Sequence, residues 1–309
     1  MSPYYILAHA ILPFSRLEFP GWGWLARPLG VFSDERSAKR HWGGLPVRIV
    51  RGKLHGYRMA LDLADWSQRR SWLLGRYYEL DVQRLMGALL KPGDSFIDIG
   101  ANIGMITLLA ARLVGPAGRV LSVEPNPDPR ALLRRHIEMN GIENVEIVDV
   151  ALSDAVEDKT LSVVGDHDGV ATLADMAGGA GVTRAHRLRT VVGDDAIPDG
   201  LPGSVLIKID VEGYETKVLR GLSRVLERYR PMVITEFEPR HLVRAGSSPE
   251  ELISLMTRRG YKAFDVFVRR SPLRYKLFVE PMRGTQARGA NVLWAHESMA
   301  DGLELSDRG

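Results

Sequence analysis

Carboxylates at the ends of apolar, β-prone runs are the residues of this chain best suited to chemistry. Asp98 lies in the run Phe96-Ile97-Asp98-Ile99 just before the turn Gly100-Ala101-Asn102-Ile103-Gly104, and Glu124 closes the next run, Val120-Leu121-Ser122-Val123. Gly100 and Gly104 let the backbone turn sharply and leave no side chain between a ligand and the amides that open the following helix. A dinucleotide fingerprint would need glycine where Asn102 stands, the position at which a pyrophosphate approaches the backbone. Asp98 would repel that pyrophosphate and attract an ammonium group. Glu124 is placed to accept two hydrogen bonds from a ribose diol, with Pro125 stiffening the turn beside it. An ammonium, a ribose and no phosphate together describe S-adenosylmethionine. A purely structural strand-to-helix turn is the competing reading, and the paired acidic strand ends favour the cofactor.

A second group follows the run Val205-Leu206-Ile207-Lys208-Ile209: Asp210, Glu212, Gly213 and Glu215. Ligands of open parallel sheets sit outside the carboxyl ends of the strands. Asp210 is therefore expected beside the reacting atoms, where it would orient or deprotonate an acceptor hydroxyl, or ligate a divalent cation that does so. Glu236 ends the next run and Glu238 follows it; with Asp210 they would supply the oxygens that a hard cation such as Mg2+ requires. Glu215 is expected to cap the helix behind it. His241, after that run, and His167, in a glycine-rich stretch, are candidate general bases, although a lone histidine is more often structural. The eight histidines form no H-x-x-H or H-E-x-x-H pattern, which argues against zinc.

What must position these groups is a repeated strand-then-helix pattern. Helical spacing follows the glycine turn (Ile106, Leu109, Ala110, Leu113), recurs from Asn126 to Asn140, from Tyr214 to Tyr229 and from Pro249 to Arg259, and precedes the first strand from Tyr77 to Leu90. Apolar runs at 96–99, 120–124, 145–148, 205–209, 232–235, 261–268 and 292–294 supply seven strands. The expected fold is α/β, a three-layer doubly wound sheet. In it Ala151 and Leu152 would flank the adenine, with Ser153 or Asp154 near its exocyclic amine, and Glu79 would close the pocket from the preceding helix. The stretch from Ala155 to Thr190 reads as a polar, glycine-rich segment.

Composition frames the alternatives. The chain has 309 residues, 45% hydrophobic, with 41 basic and 38 acidic residues and a net charge of +3. So even a balance argues against an obligate nucleic-acid binder. The absence of cysteine excludes disulfides, thiolate metal sites and cysteine nucleophiles, and fits a cytoplasmic, reducing setting. The opening MSPYYILAHAILPF is apolar over only about eleven residues, too short to span a bilayer and without the basic flank of a signal peptide. Residues 1–75 are aromatic-rich and read as an N-terminal extension or cap, lining the acceptor pocket on the sharper reading; residues 76–309 read as the catalytic domain. Oligomeric state has no signature in the sequence.

The series GRYYELDVQRLMGALLKPGDSFIDIGANIG, VEPNP, VALSD, VLIKIDVEGYE and NVLWAH, in that order between residues 76 and 296, resembles the FkbM family of S-adenosylmethionine-dependent O-methyltransferases. The resemblance implies a class I, Rossmann-like methyltransferase fold whose sixth and seventh strands form an antiparallel edge. It also implies methyl transfer to a hydroxyl of a small molecule such as a sugar, a polyketide or another natural product. Val170-Ala171-Thr172 stands where the family pattern suggests a serine pair, so no acceptor carries over. Two other classes compete. An amino-group or nucleic-acid methyltransferase would carry a [DN]-P-P-[YF] strand end where this chain has Asp210-Val211-Glu212-Gly213. A non-catalytic or dehydrogenase-like Rossmann domain is disfavoured by Asn102 and the acidic strand ends.

Overall fold

The computed structural model describes residues 3–18, 42–164, 171–174, 181–270, 275–300 and 303. From the N-terminus come helix α1 (Pro3–Leu17), strands β1 (Arg48–Arg51) and β2 (Arg58–Leu61), helices α2 (Trp66–Leu74) and α3 (Leu80–Leu89), β3 (Ser95–Ile99), α4 (Met105–Val114), β4 (Arg119–Val123), α5 (Pro127–Met139) and β5 (Val145–Val148). Next are β6 (Ala151–Ser153), β7 (Asp158–Val164), β8 (Ala171–Thr172), β9 (Val182–Val192), α6 (Gly193–Ala196), β10 (Val205–Ile209), α7 (Glu215–Gly221), α8 (Ser223–Tyr229) and β11 (Met232–Glu236). The chain continues through α9 (Pro239–Arg244), α10 (Pro249–Thr257), β12 (Tyr261–Arg270), β13 (Tyr275–Pro281), β14 (Asn291–His296) and α11 (Glu297–Ala300).

The main sheet has the order β13-β12-β14-β11-β10-β3-β4-β5. Strands β5, β4, β3, β10 and β11 run parallel, while β14 pairs antiparallel with β11 and with β12. Every residue of β3 and β10 is buried, as strands covered by helices on both faces must be. The strand order reverses between β3 and β10, which opens a crevice at their carboxyl ends. The sheet has eight strands, one more than the periodicity suggests, because β13 adds an antiparallel edge to β12. The segment read as polar and glycine-rich instead builds a second, four-stranded sheet, β6-β9-β7-β8.

The expected single helix from Tyr214 to Tyr229 is broken at Leu222. A Cβ on Gly221 would meet the carbonyl oxygen of Ser153 at 1.9 Å, so the helix touches β6 backbone to backbone just where it breaks. The N-terminal elements have their own apolar cluster. Tyr5, Ala8 and Ile11 of α1 pack with Trp72 and Leu73 of α2, Met59 and Leu61 of β2, and Ile103, Met105 and Leu108 beside the glycine turn. Buried His136 ties the two parts together: its Nε2 accepts from the Ala60 amide at 2.9 Å and its Nδ1 lies 2.8 Å from the Ile103 carbonyl oxygen, to which it donates.

Candidate functional site

One deep pocket opens at the carboxyl ends of β3, β4 and β10. The glycine turn forms its floor. Gly100 (φ 85°), Asn102 (φ 50°) and Gly104 (φ 86°) all lie in the left-handed region. At Gly100 the requirement is absolute, since a Cβ would lie 1.9 Å from the Asp210 carbonyl oxygen. Gly104 opens α4 without lining the pocket, and its missing side chain leaves room for Leu133.

Asp98 is fully buried and lines the pocket. Its Oδ2 accepts from Thr107 Oγ1 at 2.7 Å, whereas its Oδ1 is buried without a partner. Burial raises its pKa. Glu124 is held in place twice over: its Oε2 accepts from the Asn102 amide at 2.7 Å and its Oε1 from the Asn126 amide at 2.8 Å. Burial still pushes its pKa up to about 7 against those two bonds. Pro125, Ala151 and Leu152 line the same cavity as Asp98 and Glu124. Asp154 is not among the lining residues; it accepts from Ser153 Oγ and lies 3.7 Å from Arg220.

At the other end of the pocket, Asp210 Oδ2 pairs with Lys208 Nζ at 2.8 Å. Lys208 is only 3% exposed. Burial opposes its charge, but Asp210, Glu79 and Asp98 raise its pKa overall. Glu79 also lines the pocket, 3.5 Å from Asn291 Nδ2, with its Oε2 unpartnered. Burial raises its pKa to about 8 despite Lys208. Trp66 and Ser67, from α2, complete the wall together with Tyr77 and Tyr78; the Trp66 and Tyr78 rings lie 5.4 Å apart.

The expected metal set of Asp210, Glu236 and Glu238 is not brought together. Asp210 is engaged by Lys208, and Glu238 caps α9 by accepting from the Arg240 amide. Glu236 instead faces Glu212 and His241. His241 Nδ1 lies 3.0 Å from Glu212 Oε2 and 3.5 Å from Glu236 Oε2, and none of these three atoms has a directed hydrogen bond. Gly213 permits this approach, because a Cβ there would strike the His241 carbonyl oxygen at 2.2 Å. Burial and then Glu236 push the Glu212 pKa up to about 8, while Glu236 and Glu212 raise that of His241. Glu212 and Glu236 line the pocket, and His241 stands behind them. Glu215 is the first residue of α7 and makes no cap bond to that helix; its Oε1 accepts instead from the amides of Val211 and Gly213 in the loop before it. His167 and Val170 lie outside the described residues; Ala171 lines the pocket, and Thr172 Oγ1 donates to the Glu212 carbonyl oxygen.

Sequence reasoning missed Lys208. Its signal was present, a lysine inside an apolar run read as buried on both faces, which must point at a counter-charge. It placed Glu212 in the second group without a role of its own, although the chain there is left-handed (φ 55°), a conformation non-glycine residues adopt at a cost.

Among proteins of known name, the chain is 30% identical over 238 residues to the AMB antimetabolite synthetase AmbE of Pseudomonas aeruginosa, covering 64% of this chain and only 11% of that protein. It is 27% identical over 185 residues to the hexuronic acid methyltransferase AglP of Haloferax volcanii, covering 58% of this chain and 68% of the relative. It is 29% identical over 163 residues to the 31-O-demethyl-FK506 methyltransferase FkbM of Streptomyces tacrolimicus, covering 44% and 62%. The pattern of the methyltransferase FkbM domain matches residues 98–263, more than half of the chain and the stretch from Asp98 through His241. The protein therefore belongs to the FkbM methyltransferase family.

Proposed function

We propose that the protein transfers a methyl group from S-adenosylmethionine to a hydroxyl of a small molecule, such as a sugar, a polyketide or another natural product. The observation that carries this reading is Asp98 Oδ1, a buried acceptor without a protein donor, in a pocket whose neighbouring strand ends in Glu124. An ammonium would satisfy the first and a ribose diol the second. Two named relatives act on a hexuronic acid and on 31-O-demethyl-FK506, which supports a small, hydroxylated acceptor.

On this reading Asp98, Glu124, Ala151 and Leu152 hold the cofactor, which supplies an electrophilic methyl group when bound. An aliphatic hydroxyl reacts poorly until it loses its proton. Glu212, whose pKa burial pushes up to about 8, is matched to accept that proton near neutrality, with Glu236, also raised by burial, beside it and His241 behind them to take it onward. Asp210, fixed by Lys208, would orient the acceptor. The alternative role of a divalent cation moves with the geometry: one ligand atom each from Glu212, Glu236 and His241 lies within 4.8 Å of the others, so Mg2+ would be held there and not by Asp210 and Glu238. Residues 1–75 act on this reading as a cap that lines the acceptor pocket through Trp66 and Ser67.

Calorimetry with S-adenosylhomocysteine, followed by incubation of methyl-labelled S-adenosylmethionine with sugar and polyketide alcohols, tests the reading. Absence of S-adenosylhomocysteine binding would overturn it, and label appearing only in amines would favour the amino-group alternative. Full turnover in EDTA, unchanged by added Mg2+ or Mn2+, would remove the cation and leave the carboxylates as bases.

A further inference from the structure

Helix α1 is apolar on two opposite sides. Tyr5, Ala8 and Ile11 face the protein, while Ile6 (56% exposed), Leu7, Phe14 (52%) and Leu17 (66%), with Ala10 and Pro13 between them, face outward. At 3.6 residues per turn these six outward positions fall within an arc of about 120°. A helix that is hydrophobic all round is normally covered on every side, yet among the described residues this one is packed on one side only. Of the ten exposed large hydrophobic residues among those described, four lie on α1 and three more, Val47, Ile49 and Leu54, lie in or next to the β1–β2 hairpin beside it.

The charge around this face is one-sided. Described residues 3–61 contain Arg16, Arg48, Arg51, Lys53 and Arg58 against the single acid Glu18. Glu18 is already paired with Arg76 and Lys53. The Arg48 guanidinium lies 4.5 Å from the Tyr5 ring, which places basic charge directly against the helix. An apolar face with an excess of arginine beside it complements one kind of surface, an apolar layer bounded by anionic headgroups. No helix among the described residues is long and apolar enough to cross a membrane, so the mode is to lie along it.

We propose that the outward face of α1 is a membrane-surface binding site that seats the protein on anionic lipid. The side of α1 facing the protein is fastened to α2, where Tyr5 stacks on Trp72 at 6.1 Å between ring centres and Ser15 Oγ donates to the Leu73 carbonyl oxygen at 2.6 Å. Lipid can therefore engage the outward face without unfolding the helix from the body. This goes beyond the methyl-transfer reading and does not depend on it.

The chain has no cysteine, so Phe14→Cys in the full chain offers a single thiol for an environment-sensitive fluorophore. Vesicles of phosphatidylcholine with about one-third phosphatidylglycerol should shift its emission to the blue and pull the unlabelled protein into the pellet, an effect lost with phosphatidylcholine alone or in high salt. The variant Ile6→Ser/Phe14→Ser/Leu17→Ser should lose at least tenfold in vesicle partitioning while its S-adenosylhomocysteine affinity, or failing that its circular dichroism and thermal midpoint, stays unchanged. An unshifted fluorophore on anionic vesicles would overturn the proposal. So would emission already blue without lipid: dependence on protein concentration would identify a second copy as the covering partner, and independence would identify the chain's own residues.

Discussion

A Cβ on Gly100 would lie 1.9 Å from the carbonyl oxygen of Asp210, so the glycine turn and the end of β10 touch backbone to backbone. The amide of Asp210 donates to the Ile99 carbonyl oxygen at 3.0 Å in the same contact. Gly100→Ala should therefore lose about 2–4 kcal/mol of stability, combining left-handed strain with a displaced strand. Gly141→Ala is the control, since Gly141 is also left-handed (φ 59°) but has open space around it; it should lose only about 1 kcal/mol. Equal losses in urea unfolding would mean the close approach contributes nothing.

Glu124→Gln should weaken S-adenosylhomocysteine by about 1–3 kcal/mol, because the new amide nitrogen can accept neither from the Asn102 or Asn126 amide nor from a ribose hydroxyl. The 2′-deoxy analogue separates the ribose from the turn. It should bind the native protein more weakly than the parent ligand but show little further loss in the variant. Independent, additive losses would assign Glu124 to the turn alone.

Lys208→Met removes the cation that Asp210, Glu79 and Asp98 share in the pocket. The loss at pH 7.5 should be about 3–5 kcal/mol, as when one member of a buried pair is deleted. It should shrink near pH 5, where the carboxyls can hold protons, and partly recover in Lys208→Met/Asp210→Asn. A single variant as stable as the native protein at pH 7.5 would contradict the pairing.

Glu79 and Glu212 have pKa values pushed up to about 8, and Glu124 and Glu215 to about 7, in each case by burial. A carboxyl whose pKa is higher folded than unfolded keeps its proton in the fold while the unfolded chain gives it up. Its contribution is complete below about pH 4.5 and is lost as pH rises through 7 to 8. His55, lowered to about 4 by burial, has the opposite sign but acts only below about pH 6.5. The unfolding midpoint of the ligand-free protein should fall as pH rises from about 4.5 to 8, less steeply below about pH 6.5 where His55 opposes it, and level off above about pH 8. Differential scanning calorimetry of the native protein, Glu79→Gln and Glu212→Gln should show the slope flatten in each variant.

That Asp98 and Glu124 meet in one pocket was legible because the signals are local: glycines at left-handed positions and acids at the ends of continuous apolar runs lie within thirty residues of one another (Asp98 to Glu124). The acceptor half was not. Whether Glu236 meets Asp210 or Glu212 depends on how α9 settles over Gly213, a contact between residues far apart in the chain. The sheet β6-β9-β7-β8 escaped notice because β9 (VTRAHRLRTVV) is exposed at many positions and carries basic residues where a core strand would be apolar. In the N-terminal part, aromatic content showed that something is packed there, but only the structure shows Trp72 in the cluster and Trp66 on the pocket wall.

The place of Asn291–His296 in the sheet, between Met232–Glu236 and Tyr261–Arg270, imposes an order on synthesis. During translation, strands β3, β4, β5 and β10 can pair as they emerge, so the cofactor turn can form early. The strand that carries Glu236 has no partner on its far side until the segment from Asn291 is made, and β12 waits for the same segment. A nascent chain stalled near Arg270 therefore exposes the far edge of β11 and both edges of β12, which is where chaperones would be expected to bind and where aggregation would begin.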